Sequence, residues 1–259
     1  LFVYVPRIDD ALNIRVMMGL DERAPWCRCW SPDIAEGILA LEWLCPRGRS
    51  AANLGSVMLI LASASPRRRE LLVQAGVKFS VAAANLNEDL LPDEAAAAYV
   101  QRLAEEKAQA VWNAHRSLDS DTNTADDPLI VLGADTCVVC DGHILGKPVD
   151  TTDARRMLEL LSGRTHAVLT GLAAVAGHKV VRDVEITQVT FNQLDDAEIA
   201  RYIASGEPLD KAGAYAIQGY AARWIPRIEG CYFNVMGLPI ARTIALLAEA
   251  EALPAVDLI

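Results

Sequence analysis

The chain has 259 residues, 52% of them hydrophobic and 22% charged, with a formal net charge of −10. That length holds one large domain or two small ones around a full apolar core, and the acidic balance disfavours general nucleic-acid binding, which needs a basic face, while leaving room for a nucleotide in a locally basic pocket. No apolar run approaches the roughly 18 residues of a membrane span. The six cysteines are too sparse for a disulfide scaffold and fit a reducing cytoplasm.

Residues 1–56 differ from the rest. They hold Trp26, Trp30 and Trp43 of the five tryptophans and Cys27, Cys29 and Cys45 of the six cysteines. Only residues 33–44 read as a short helix. A zinc site on the three cysteines is weakly supported, because no histidine lies near. From residue 57 strands and helices alternate. A strand over 57–62 leads into a helix over 66–74 closed by Gly76. A strand over 78–83 and a long helix over 92–114 follow, then a polar, acidic loop over 116–128. The apolar run 129–132 reads as a strand that ends in Gly133-Ala134-Asp135. Residues 138–145 read as a hairpin turning at Asp141-Gly142. A helix over 151–161 precedes two β runs, 167–176 and 179–191, joined around Gly177. A helix over 195–204, a glycine-punctuated β-like stretch over 215–228 and a helix over 238–250 complete the chain. The expected fold is α/β, a mixed twisted sheet with flanking helices.

The stretch Ser63-Ala64-Ser65-Pro66-Arg67-Arg68-Arg69 concentrates the chemistry. Ser65 suits a helix N-cap and Pro66 the first helical position. Three arginines then oppose the helix dipole, which makes the turn either an anion site or a solvated basic surface. Because they work against the dipole, their removal is expected to leave stability unchanged. Lys107 lies on the apolar stripe Val100, Leu103, Ala104, Ala108, Val111 of its helix, so it must snorkel, pair or bind an anion. Asp135, after an apolar strand, can activate water, hold a metal or simply make a turn. Gly146-Lys147-Pro148 puts a cation on a loop tip. Glu88 is a loop acid. Gln218, in a segment with closely spaced glycines, offers a donor and an acceptor suited to a base edge. Cys137 and Cys140 form a Cys-x-x-Cys pair, but on a strand they face opposite sides and cannot chelate together. His115, His143, His166 and His178 show no metal spacing.

Several of these segments together resemble one family. Ser63-Ala64-Ser65-Pro66-Arg67-Arg68, Ala104-Glu105-Glu106-Lys107-Ala108, Gly133-Ala134-Asp135-Thr136, Gly146-Lys147-Pro148, Leu161-Ser162-Gly163-Arg164-Thr165-His166, Asp210-Lys211-Ala212-Gly213-Ala214-Tyr215-Ala216-Ile217-Gln218-Gly219 and Phe233-Asn234-Val235-Met236-Gly237-Leu238-Pro239 occur in the order found in the Maf family of nucleoside triphosphate pyrophosphatases. The resemblance runs from about Met58 to about Leu247. It implies two lobes around a nucleotide cleft, as in the Maf/ITPase-like fold, within residues 57–259. Residues 1–56, outside it, read as an over-extended reading frame or a poorly ordered appendage, unnecessary for activity. The resemblance implies that Asp135 is the catalytic carboxylate and that Glu88 and Asp135 hold a divalent cation, Mg²⁺ or Mn²⁺. Ser63, Ser65, Arg67, Arg68, Lys107 and Lys147 would bind the triphosphate and Gln218 the base. Asn87 stands where the family usually has a second acid beside Glu88. The 210–219 segment resembles the branch acting on dTTP and UTP. The partner implied is a nucleoside triphosphate, in the cytoplasm, without nucleic acid or membrane; a homodimer stays open. Two alternatives remain, a pyrophosphatase for another nucleotide such as 7-methyl-GTP and a non-enzymatic regulator of cell division.

Overall fold

The computed structural model describes residues 58–118 and 129–250. The short helix expected over 33–44, Cys27, Cys29 and Cys45, and the acidic loop from residue 119 onward lie outside the described residues. In chain order the elements are β1 (Met58–Ala62), α1 (Pro66–Gln74), β2 (Ser80–Val81), α2 (Ala96–Leu118), β3 (Leu129–Cys140), β4 (His143–Leu145) and α3 (Thr151–Leu161). Then come β5 (Thr165–Ala176), β6 (Lys179–Thr190), α4 (Asp196–Ala204), a series of 3-10 turns between residues 207 and 224, β7 (Arg227–Glu229), α5 (Tyr232–Met236) and α6 (Ile240–Glu249). The strands form one sheet in the order β2-β1-β3-β5-β6-β7, with β4 also on β3. Pairing is parallel among β2, β1 and β3 and antiparallel elsewhere. The chain is thus α/β with a mixed sheet flanked by helices, as expected.

β3 makes the site. Along one edge it pairs with β5 from Val131 to Val139. Along the other it pairs with β1 only as far as Gly133 and with β4 only from Val138. Residues 134–137 therefore have one edge with no strand partner, just past the end of β1. The apolar run alone predicts a strand that ends at residue 132. The ladder to β5 carries it on to Cys140, so Asp135 lies within a long strand. It still marks a carboxyl end, because parallel pairing with β1 stops two residues before it.

Two glycines bring α2 onto the sheet. A Cβ at Gly133 would lie 1.9 Å from the Ala104 carbonyl oxygen, and one at Gly171 would lie 2.3 Å from that of Val100. Only glycine permits backbone to approach that closely. Strand alternation then puts Asp135 and Cys137 on the α2 side with Gly133. Cys137 packs with Val100 and Leu169, whereas Cys140 packs on the other face with Leu145 and Leu158. The two thiols are free and cannot share a ligand.

Two expectations need correction. α2 begins at Ala96 because the segment before it is a turn: Asp93 adopts a positive φ of 58° and the Glu94 carboxylate accepts from the Leu91 N–H. The β-like stretch 215–228 is instead a turn, then a 3-10 helix at Tyr220–Trp224, with strand only at Arg227–Glu229. Residues 213–217 are all buried in succession, which a half-exposed alternating strand does not allow.

Candidate active site

The chain leaves β1 at Ala62 and enters α1 within three residues. Ser65 occupies the N-cap position and Pro66 opens the helix, but the Ser65 side chain makes no capping bond. Its hydroxyl and the first-turn N–H groups, which have no intrahelical partners, are left to an anion. The Ser63 hydroxyl accepts from the Ser65 N–H at 3.2 Å and from Arg68 Nη1 at 3.1 Å.

The neighbouring arginines part company. Arg68 is buried, and its guanidinium closes the open edge of β3. Nε donates to the Gly237 carbonyl at 2.8 Å, Nη1 to the Ala134 carbonyl at 2.8 Å, and Nη2 to Thr136 Oγ1 at 3.0 Å. Burial pulls its pKa below the ordinary value, against the opposing charge of Asp135. The expectation that both arginines leave stability alone therefore fails for Arg68, because its loss would strand two buried carbonyls. Arg67 is partly exposed and, among the described residues, its guanidinium meets the Asp210 carboxylate at 3.3 Å.

Lys107, facing inward as its stripe requires, lies between two acids. Its Nζ is 2.6 Å from Asp135 Oδ1 and 2.6 Å from Glu88 Oε1. Lys107 is 8% exposed and Asp135 7%, so each charge compensates the other where water cannot. Burial pushes the Glu88 carboxyl up, but the hydrogen bond and charge of Lys107, helped by Lys147 and Arg68, hold it below its usual value. α2 also grips the loop that carries Glu88. The Tyr99 hydroxyl donates to the Glu88 carbonyl at 2.9 Å, and Arg102 Nη2 donates to that of Asp89 at 3.1 Å. Burial first, then the charges of Asp135 and Glu88, push the Tyr99 phenol up to about 12.

Across from these groups lies the turn-rich segment. The Gly213 N–H donates to the Gly146 carbonyl at 3.0 Å, tying the Lys147 loop to it. Lys211 Nζ donates to Asp210 Oδ1 at 2.5 Å. Burial raises the Asp210 carboxyl, and Lys211 and Arg67 together overcome that and lower it. Gln218 is exposed at the rim.

The structure brings all the sequence candidates together: Ser63, Ser65, Arg67, Arg68, Glu88, Lys107, Asp135, Lys147 and Gln218 line one cavity of about 610 Å³. It adds Tyr99, Thr136, Asp210 and Lys211, to which the sequence reading gave no role. A signal existed for Tyr99, which precedes Lys107 by two turns on the same face. Chemically, the cavity joins several fixed cations to a pair of carboxylates, an arrangement suited to a polyphosphate and to acid–base work beside it.

The Maf family, described as Maf-like protein, matches residues 58–250. A protein of Hahella chejuensis named dTTP/UTP pyrophosphatase is 49% identical over 197 residues, covering 76% of this chain and 94% of that protein. A protein of the same name from Chromobacterium violaceum is 51% identical, covering 74% of this chain and 93% of its own length. One from Koribacter versatilis is 48% identical, covering 78% and 98%.

Proposed function

The chain belongs to the Maf family, and from that premise we propose that it is a nucleoside triphosphate pyrophosphatase acting on dTTP and UTP. Water and the triphosphate give the nucleoside monophosphate and pyrophosphate, with one proton released. The observation that carries this reading is the Asp135–Lys107–Glu88 group facing Arg67 and Lys147 in one cavity. It supplies a base, a buried counter-charge and cations for the leaving group within reach of one triphosphate.

Each residue has a role in an in-line attack at the α-phosphorus. Asp135 Oδ1 is engaged by Lys107, which fixes the carboxylate and leaves its other oxygen to take the proton of the attacking water. Arg67, Lys147 and the N–H groups at the start of α1 hold the β- and γ-phosphates and offset charge developing on the leaving pyrophosphate. Lys107 uses two of its three N–H groups on Asp135 and Glu88 and has the third for a phosphate oxygen. Arg68 keeps Ser63, Thr136 and β3 in register beneath the phosphates. Gln218 reads the base edge.

A divalent cation also fits the site. Among the described residues no cluster of three His, Cys, Asp or Glu side chains exists. Asp135 and Glu88 nevertheless converge on one cation already, the Lys107 ammonium. Two carboxylates completed by phosphate oxygens and water suit Mg²⁺ or Mn²⁺. When bound there, such an ion neutralises phosphate charge and lowers the pKa of its water.

Among the described residues no helix is long and apolar enough to cross a membrane. We place the activity in residues 57–259 and in the cytoplasm, and a chain starting at Met58 should retain it. The test is a nucleotide panel with Mg²⁺ in which released pyrophosphate is measured. Fastest turnover of dTTP and UTP, with one pyrophosphate per monophosphate, supports the proposal. Faster turnover of 7-methyl-GTP, release of orthophosphate alone, or binding without turnover of any nucleotide defeats it.

A further inference from the structure

The turn that presents Gln218 has no strand ladder to hold it. Its own backbone supplies one bond, from the Gly219 N–H to the Ala216 carbonyl at 3.0 Å. Its shape comes from two side chains behind it, neither of which lines the cavity. Tyr202 of α4 is 1% exposed. Its hydroxyl accepts from the Ala216 N–H at 3.2 Å and donates to Glu207 Oε1 at 3.0 Å. Its ring stacks on Tyr220, with centroids 5.5 Å apart and planes inclined by 19°. One side chain thus contacts both ends of the segment 216–220. The Glu207 carboxylate fills the space beside the middle of the segment: a Cβ at Gly219 would lie 2.0 Å from its Oε1. The backbone of Glu207 is tied in turn by Lys211, whose Nζ donates to its carbonyl at 2.6 Å.

We propose that Tyr202 and Glu207 are positioning residues that set base selectivity by fixing the Gln218 turn. The proposal rests on the reading of Gln218 as the base-recognising side chain. A partly buried carboxylate spent on a tyrosine hydroxyl and a glycine is costly. It makes sense where the backbone must hold one shape, because a side chain at the end of a turn amplifies small backbone shifts. Phosphate-binding groups on α1, α2 and the Lys147 loop do not depend on this contact. Loss of the pair should therefore change which base is accepted more than how fast a bound triphosphate is cleaved.

The experiment compares kcat and KM for dTTP, UTP, dCTP and dGTP in wild type, Tyr202→Phe, Glu207→Ala, Glu207→Gln and Gln218→Ala. Tyr202→Phe keeps the ring stack and removes both hydrogen bonds. It should reduce the preference for dTTP over dCTP about tenfold, the scale of one lost hydrogen bond, through KM, with kcat for dTTP nearly unchanged. Glu207→Ala should do the same. Glu207→Gln, which keeps an oxygen for the Tyr202 hydroxyl, should restore selectivity. Gly219→Ala is a second route that spares the aromatic cluster. Its φ is negative, at −102°, with ψ of −149° at the edge of the β region, and its methyl would push the flexible Glu207 carboxylate away from the turn. Melting temperatures of all variants separate a folding defect from a selectivity change. An equal loss of kcat/KM for every nucleotide means a structural role only and overturns the proposal. Selectivity lost in Gln218→Ala but kept in the Tyr202, Glu207 and Gly219 variants overturns it while leaving the reading of Gln218 intact. Selectivity unchanged in Gln218→Ala overturns both.

Discussion

The two sides of the cavity are built by different means. The phosphate side is made of regular elements: a helix start, a gap in a strand edge and a helix seated on two glycines. Its central charges are paired before any ligand arrives: the buried Lys107 and Asp135 pair with each other and with the half-exposed Glu88, and the buried Arg68 bonds to Ala134 and Gly237. The base side, residues 207–224, is a series of short turns held by a few side chains, Tyr202 from outside it and Glu207 and Lys211 from within. On the proposed reading, chemistry common to every triphosphate falls to the part that ladders and helix packing make rigid. On the same proposed reading, discrimination among bases falls to the part that a few side-chain contacts can reshape. Variants on the first side should destroy catalysis or folding, and variants on the second should tune preference.

The largest effect tests the phosphate side directly. Asp135→Asn keeps shape and hydrogen bonding but removes the base. Its kcat for dTTP should fall by about two to four orders of magnitude, while calorimetry shows the nucleotide still binding. Turnover at the wild-type rate would move the reacting acid to Glu88 or Asp210 and break the comparison at its centre.

The next effect separates the two arginines. Arg68→Ala removes a buried group that holds β3, α1 and the Gly237 turn together. The stranded carbonyls should lower unfolding stability by roughly 2–4 kcal/mol, read by denaturant titration of the apo protein. Arg67→Ala should leave that titration unchanged and raise KM. Equal stability of the two variants would mean that water satisfies the gap in β3 and that the guanidinium is not structural.

The base side has a pH signature of its own. His166 is 2% exposed, and its Nε2 lies 2.9 Å from the Tyr215 hydroxyl in a cluster with Phe191. Burial pushes its imidazole down to about 4 from an ordinary 6.5. The folded protein keeps this ring neutral while the unfolded chain protonates it. The contribution is therefore fully present above pH 6.5 and is lost as pH falls towards 4. Over that window the shift corresponds to about 3 kcal/mol. His166→Gln should flatten the dependence of stability on pH between 6.5 and 4. An unchanged slope would show that the ring finds a counter-charge or water on protonation.

The same divide governs what could be read from the sequence. The bounds of α1 and α3 are legible because their signals are local: Ser65-Pro66 opens the first, and Asp150, whose carboxylate accepts from the Asp153 N–H at 2.8 Å, opens the second. Lys107 is legible because a charge on an apolar stripe must have a purpose. β3 is misjudged because its length is set by a partner strand, not by its own composition. The stretch 215–228 is misjudged because its apolar residues, interrupted by Gln218-Gly219, Arg223 and Pro226, resemble a strand, while contacts that hold its turns come from Tyr202, fourteen residues before Ala216, which no local pattern reports. Arg67 and Arg68 look alike in sequence, and only the open edge of β3 decides which of them is buried.

The smallest effect concerns the one ion pair that, among the described residues, joins the two sides. Asp210, on the turn-rich segment, accepts from Arg67 Nη1 at 3.3 Å and from Lys211 Nζ at 2.5 Å. Its side chain is 64% exposed, so each pair is worth at most about 1 kcal/mol. A triphosphate must win both cations from it, and its own negative charge opposes the ligand. Asp210→Asn should therefore lower KM for dTTP by about two- to threefold at low salt, with kcat unchanged. The gain should fade as ionic strength rises, because mobile ions screen exposed charges over about 8–10 Å. Measuring KM at low and high salt in wild type and Asp210→Asn separates this effect from a loss of contact. A rise in KM at both salt concentrations, or a fall in kcat, would mean that the Asp210 carboxylate touches the bound nucleotide. The base side would then share in the chemistry, and the separation between the two sides would be incomplete.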